Sequence, residues 1–234
     1  MNTFFAFKTN ETTLALNADE SWHCAKVLRM KSGEAIEAID GNGLRWEARL
    51  LAVSEKQTTA SITKEYQFES RNYHFHLAVA PVKNIDRLEW LAEKATELGV
   101  DRISLLACRN SERRTVNTIR LKKIIESAVK QSRQVFMPQL DEIQSLETFL
   151  SSCSGGESAK LIAHCVPQNR SDLGSIITSQ NKFIFLVGPE GDFRKEEIQL
   201  ALESGFNPVT LGESRLRTET AAVYIAAYLR SKFH

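Results

Sequence analysis

Long apolar runs are missing from this 234-residue chain. A bilayer span needs about 20 consecutive, mostly apolar residues, and the clean stretches here are as short as Phe183-Ile-Phe-Leu-Val187. The amino-terminal MNTFFAFKTNETT has neither the basic start nor the apolar core of a secretory signal, so a cytoplasmic location is expected. Cysteine is scarce: Cys24, Cys108, Cys153 and Cys165 form no CxxC pair and no zinc-ligand spacing, which argues against a metal centre. In a reducing compartment these are expected to be free thiols. The GxGxxG fingerprint and the phosphate loop ending in GKS or GKT are also absent, so neither a dinucleotide nor a triphosphate is indicated.

What is present is the composition of a globular protein, 42% hydrophobic and 25% charged. The length suits one large domain or two smaller ones. Net charge is only +1, but it is uneven. Residues 102–133 hold nine Lys or Arg against Glu112 and Glu126, whereas residues 1–70 hold eight basic and ten acidic groups. Such a local excess marks either a surface for phosphates or a solvated helix face.

Residues 1–70 read mostly as strands: TFFAF (3–7), TLAL (13–16), EAIEAID (34–40), LRWEARLLAV (44–53) and TTASITKEYQF (58–68). Asp40-Gly-Asn-Gly43 is a hairpin signal between the third and fourth. One helix fits from about Asp19 to Met30, with Trp22, Ala25, Val27 and Leu28 facing inward and Lys26, Arg29 and Lys31 near its end. A small β-barrel carrying one helix follows. The pattern changes near residue 70, where strands begin to alternate with helices, as in an α/β domain with a mostly parallel sheet. Strands are expected over Tyr73 to Ala80, Ile103 to Ala107, Leu161 to Cys165, Phe183 to Val187 and Pro208 to Leu211. Helices are expected after Asp86, closed by Gly99, over about 118 to 133 with Leu121, Ile124 and Ala128 inward, over about 195 to 204 capped by Asp192, and over 219 to 232. There is no internal repeat.

Two loops follow apolar strands in that second region: Leu186-Val-Gly-Pro-Glu-Gly-Asp-Phe193 and Leu211-Gly-Glu-Ser-Arg-Leu-Arg-Thr-Glu-Thr220. Ligands of open α/β sheets bind just outside the carboxyl ends of the strands. Thr218 can cap the last helix, with Glu219 near its positive end. Arg217 fits no such role, since a cation is disfavoured at a helix start. It faces an anion, or pairs with Glu190 or Glu219. His74 and His76 share a strand face, but no third metal ligand is evident.

LVGPEGDF followed by LGESRLRTETAA resembles the RsmE family of ribosomal RNA methyltransferases, members of the SPOUT class. The resemblance covers essentially the whole chain. It includes His23-x-x-Lys-Val-Leu-Arg-Met30, Gly33 and Asp40-Gly41, then Glu93 to Val100, Ser111-Glu-Arg113 and Gln131-Ser132-Arg133. Asp192 stands where many members have glycine, and the stretch from His164 to Arg170 matches only loosely.

The resemblance implies a PUA-like β-barrel RNA-binding domain over residues 1–70 and an α/β, SPOUT-type trefoil-knotted parallel-sheet methyltransferase domain over 71–234. It implies S-adenosyl-L-methionine as methyl donor, N3 of a uridine in 16S ribosomal RNA of the small subunit as acceptor, and a homodimer. No metal is required. By position, Leu186, Val187, Gly188, Glu190, Gly191, Leu211, Gly212, Leu216 and Thr218 would bind the cofactor. Arg217 and Glu219 are the catalytic candidates. Lys26, Arg29, Arg113, Arg114, Arg133 and Arg215 are the RNA-binding ones. The same loops would also serve a methyltransferase acting on another RNA site, or survive in a non-catalytic ribosomal RNA assembly factor.

Overall fold

The computed structural model describes residues 1–153, 158–166, 170–177 and 180–233, and so omits 167–169 of the loosely matching stretch. They form two compact units, Met1–Ser70 with Val129–Met137, and Arg71–Ala128 with Pro138–His234.

In the first unit, β1 (Thr3–Lys8), β2 (Thr13–Leu16), β3 (Ala35–Ile39), β4 (Leu44–Ala52) and β5 (Thr59–Gln67) close into a barrel in the order β1-β2-β5-β4-β3. Closure is parallel, between β1 and β3, and the other pairings are antiparallel. The alternation of β4 sends Trp46, Ala48 and Leu50 into a core with Phe4, Leu14 and Ile36. Trp46 Nε1 donates to Glu65 at 2.6 Å, so its polar edge is satisfied.

The helix expected over 19–30 is only partly regular. Helix α1 (Ala18–Trp22) is capped by Asn17, whose side chain accepts from the Glu20 N–H. It then widens over His23–Val27, with the Leu28 N–H reaching the His23 carbonyl, and ends at Arg29 with φ 52°. The wider turn departs from the 3.6-residue spacing behind the expected inward set. Trp22, Val27 and Leu28 are accordingly 51%, 51% and 37% exposed, and Ser21 and Cys24 face inward instead.

The second unit is built on a parallel sheet. Its strands are β6 (His74–Val79), β7 (Arg102–Ala107), β8 (Gln139–Leu140), β9 (Gln144–Ser145), β10 (Ala159–Ala163), β11 (Ser171–Asp172), β12 (Lys182–Val187) and β13 (Asn207–Thr210). They run in the order β11-β13-β10-β12-β6-β7-β8, with β9 also on β7. Every pairing is parallel. Buried on both faces, β6 and β12 read as the near-continuous apolar runs such strands require.

The helices are α2 (Ile85–Glu97), α3 (Thr118–Gln131), α4 (Leu146–Ser152), α5 (Leu173–Ile176), α6 (Lys195–Glu203) and α7 (Thr218–Phe233). Helix α2 packs against α7, and α7 lies on β6 and β12. Helix α2 begins one residue before Asp86: the cap is Asn84, which accepts from the Asp86 N–H at 2.8 Å. It closes at Gly99, with φ 89°, and the Val100 N–H returns to the Ala95 carbonyl. Helix α3 buries Leu121, Ile125, Ala128 and Val129, while Ile124 is half-buried, one residue out of the expected register. Helix α6 is not capped by Asp192; Glu197 reaches back to the Arg194 N–H at 2.8 Å.

Candidate active site

The carboxyl ends of β10, β12 and β13 are neighbours in the sheet. The loops that leave them enclose a cavity of about 460 Å³. The two loops singled out in the sequence supply two of its walls, and the segment after β10 supplies the third.

Eight of the nine residues expected at a cofactor line this cavity: Val187, Gly188, Glu190, Gly191, Leu211, Gly212, Leu216 and Thr218. Leu186 does not. Successive strand side chains point to opposite faces, and that of Leu186 enters the core beside Ala78, Leu106 and Phe193. The backbone explains two of the glycines. A Cβ on Gly188 would lie 3.0 Å from the Phe193 ring, so a larger residue would push against that ring where it closes on the loop. Gly212 takes φ 117°, with nothing within 4 Å of where a Cβ would be, which leaves its backbone open.

The loops are cross-braced. Asp192 occupies the left-handed region at φ 61°, which asparagine and aspartate tolerate better than other side chains. Its carboxylate accepts from the Cys165 N–H at 2.7 Å and from the Phe193 N–H at 2.8 Å, tying the β10 loop to the β12 loop. Asn110 Nδ2 donates to the carbonyls of Gly191 and Asp192, at 3.0 Å each. Glu190 accepts from the Lys83 N–H at 2.8 Å. The Thr218 hydroxyl donates to the Gly188 carbonyl at 2.8 Å, joining the third loop to the second.

That bond revises the expected cap. Thr218 is the first residue of α7, and its hydroxyl is spent on Gly188. Arg217 holds the cap position, with its carbonyl accepting from the Ala221 N–H at 2.8 Å. The Arg217 side chain is exposed at the cavity and forms no ion pair among the described residues. Glu219 turns elsewhere: it is buried with one oxygen 3.6 Å from Arg87 of α2, while Oε2 has no hydrogen-bond partner among the described residues. The structure therefore brings Arg217, but not Glu219, to the cavity wall.

His164, Arg170 and Cys165 were not assigned to the site from sequence, and neither was Asn110, which braces it. His164 lines the cavity while only 5% exposed. The signal available was a histidine directly after the apolar run Leu161-Ile-Ala163, at the carboxyl end of a strand.

The RNA-binding candidates separate. Arg215 lies exposed at the cavity. Arg113 is committed to the carbonyls of Val82 and Lys83, at 3.2 and 2.6 Å, and Arg114 reaches the Arg109 carbonyl at 3.5 Å. Lys26 pairs with Glu55 at 2.8 Å on the barrel surface. Arg29 and Arg133 both sit at positive φ, closing α1's widened turn and α3. Much of the basic excess over 102–133 is neutralised by acids from elsewhere in the chain: Arg102 by Asp141, Arg120 by Glu89 and Lys130 by Glu20. His76 is hydrogen-bonded to Ser104 at 2.7 Å, and no group of three metal-ligating side chains occurs among the described residues. No described helix is long and apolar enough to cross a membrane.

A small closed barrel and a parallel sheet whose terminal loops wall a glycine-lined cavity define the class: a SPOUT-type methyltransferase with a PUA-like barrel. The RNA methyltransferase domain family matches residues 69–230, and the RNA methyltransferase PUA domain family matches residues 16–63. Ribosomal RNA small subunit methyltransferase E of Synechocystis is 28% identical over 229 residues, covering 94% of this chain and 74% of its own length. The protein of that name from Bacillus subtilis is 25% identical over 225 residues, covering 91% and 87%. The crystal structure of ribosomal RNA small subunit methyltransferase E from Neisseria gonorrhoeae bound to S-adenosyl methionine superposes with a TM-score of 0.88 at 28% identity, covering 100% of this chain and 98% of that one. The chain belongs to the RNA methyltransferase family, and within it to the RsmE group.

Proposed function

We propose that this protein transfers a methyl group from S-adenosylmethionine to N3 of a uridine in 16S ribosomal RNA, acting in the cytoplasm as a homodimer. The observation that carries the reading is Arg217, without an ion pair among the described residues, on the wall of a cavity built from three braced loops.

The residues present fit the cofactor. Val187, Leu211 and Leu216 supply apolar surface for an adenine ring, and Gly188 and Gly212 supply backbone for its polar edge. Glu190 and Gly191 keep their loop in place through Lys83 and Asn110. When bound, S-adenosylmethionine supplies an electrophilic methyl group on a sulfonium centre.

The chain's own task is to hold the acceptor base and manage its charge. Uracil N3 carries a weakly acidic proton, and as it leaves, negative charge grows on the flanking ring oxygens. Arg217, at the cavity and with no carboxylate partner among the described residues, would stabilise that charge. Glu219, turned to Arg87, acts as a positioning residue for the start of α7. The base must be unpaired or flipped to enter. Arg215 at the cavity would contact the RNA backbone, as would Arg29 and Arg133 of the barrel unit, which form no ion pair among the described residues, whereas Lys26 is held by Glu55. Arg113 and Arg114 serve mainly to shape the adjoining loop. A homodimer is supported by Trp90 of α2 and Tyr224 of α7, each 43% exposed, as apolar surface for a second copy to cover.

The test is methyl transfer from labelled S-adenosylmethionine to small ribosomal subunits lacking the modification, followed by digestion and mass spectrometry. The expected product is 3-methyluridine, reduced about 10²-fold or more in rate by Arg217→Ala. A different methylated nucleoside would overturn the acceptor. Absence of transfer with RNA binding intact would make the protein an assembly factor.

A further inference from the structure

We infer that His164 is a ligand-binding residue of the cavity, its imidazole making a hydrogen bond to bound S-adenosylmethionine. The inference rests on the proposed function, but a separate observation carries it. His164 lines the cavity, is 95% buried by its 5% exposure, and has neither Nδ1 nor Nε2 hydrogen-bonded among the described residues. Buried polar side chains are nearly always paired, so a ring with two orphaned nitrogens calls for a partner.

The Val166 backbone lies near enough to favour a protonated ring but makes no hydrogen bond with either nitrogen, and the other neighbouring polar groups are committed. Arg170 donates to the backbone carbonyl of His164 itself, at 2.7 Å. The Asp192 carboxylate accepts from the N–H groups of Cys165 and Phe193. The same bonds hold the histidine's loop, while its ring nitrogens have no hydrogen-bond partner among the described residues. A ligand in the cavity that the ring lines is the partner available.

The protonation state suits that ligand. Burial pushes the ring below its ordinary pKa, outweighing the opposing pull of Asp192 and of the Val166 backbone, and the Arg170 charge pushes the same way as burial. A neutral imidazole has one donor and one acceptor, which matches a hydroxyl, amine or carboxylate on the cofactor. It also avoids setting a second cation beside a sulfonium.

The experiment is calorimetric titration of the full-length protein with S-adenosylmethionine, for the wild type, His164→Ala and His164→Asn. We expect His164→Ala to weaken binding about tenfold, the scale of one hydrogen bond to a charged or well-placed group. His164→Asn should recover part of the loss. Without cofactor, His164→Ala should melt no lower than the wild type, because it removes an unsatisfied buried group; a merely structural histidine would lower the melting temperature. Nitrogen-15 signals of the His164 ring should shift when cofactor is added to the wild type. Unchanged affinity in His164→Ala together with unmoved ring signals would overturn the inference and leave the methyl-transfer reading standing. Failure of the wild type itself to bind S-adenosylmethionine would overturn both.

Discussion

His76, on the interior strand β6, begins a chain of polar contacts. Its Nε2 is 2.7 Å from the Ser104 hydroxyl, the hydroxyl donates to Asp141, and Arg102 Nε and Nη2 donate to the same carboxylate at 2.7 and 3.1 Å. Serine has one proton, and Asp141 takes it, so His76 must be the donor to Ser104 and is neutral with its proton on Nε2. Burial, reinforced by the Arg102 charge, pushes its pKa down to about 4 from the ordinary 6.5. Because the folded value is depressed, the unfolded chain binds the extra proton between pH 6.5 and about 4. Stability is therefore full above pH 6.5 and lost as pH falls through this window, by about 3 kcal/mol when complete. Burial also pushes Asp141 upward, but the bonds from Arg102, Ser104 and Gln139 outweigh it and hold the carboxyl below its ordinary value. Its own loss of stability belongs to more acidic solution, below the ordinary carboxylate value of 3.8. Urea unfolding at a series of pH values should show a steep fall from pH 7 to 4.5 in the wild type and a shallower one in His76→Asn, which keeps a donor for Ser104. Equal slopes would mean that His76 is not the group that titrates. The residual slope would include His164, whose pKa is lowered by burial too.

At the scale of elements, what was legible is what local pattern controls. The long barrel strands and β6, β7, β10 and β12 stood out because alternation or apolar runs are set by which face is buried. The two-residue strands β8, β9 and β11 carry no periodicity and exist through pairing with β7 or β13, so the sequence held no signal for them. The end of α1 failed as a regular helix because a widened turn changes the spacing of inward residues. Caps were misplaced by one or two residues: Asn84 caps rather than Asp86, and Arg217 rather than Thr218. The last case has consequences for stability. The Thr218 hydroxyl, released from capping, is the link between the start of α7 and the Gly188 carbonyl, and it is buried. Thr218→Val keeps the shape and leaves that carbonyl unpaired, at a cost of about 1–3 kcal/mol. Chemical denaturation should register the loss in Thr218→Val and its recovery in Thr218→Ser. A valine variant as stable as the wild type would mean that another group satisfies Gly188.

At the scale of the whole molecule, the cavity was legible in its two contiguous loops and illegible in its third wall. The path that brings His164 beside Gly188 and Gly212 depends on the strand order β13-β10-β12, which no local pattern encodes. The knotted connection of the SPOUT fold is non-local in the same sense. Charge is a local signal that tertiary structure redistributes. The run from 102 to 133 left open a phosphate surface or a solvated helix face, and Asp141, Glu89 and Glu20 come from distant segments to neutralise three of its cations. RNA contacts should then fall on cations left without a partner, chiefly Arg215, which lies exposed at the cavity and has no ion pair among the described residues. Binding to 16S RNA should weaken with salt as counterions are released. Arg215→Ala should reduce the slope of log K against log salt by about 1, and Arg120→Ala, whose guanidinium is 2.6 Å from Glu89, should leave it nearly unchanged. Arg113→Ala should act differently again. Its guanidinium holds the Val82 and Lys83 carbonyls, and Lys83 in turn donates its N–H to Glu190 on the cavity wall. Its loss should weaken S-adenosylmethionine binding at every salt concentration more than it alters the salt slope for RNA. If Arg120→Ala flattened the slope as much as Arg215→Ala, tertiary ion pairing would not be what selects the RNA footprint.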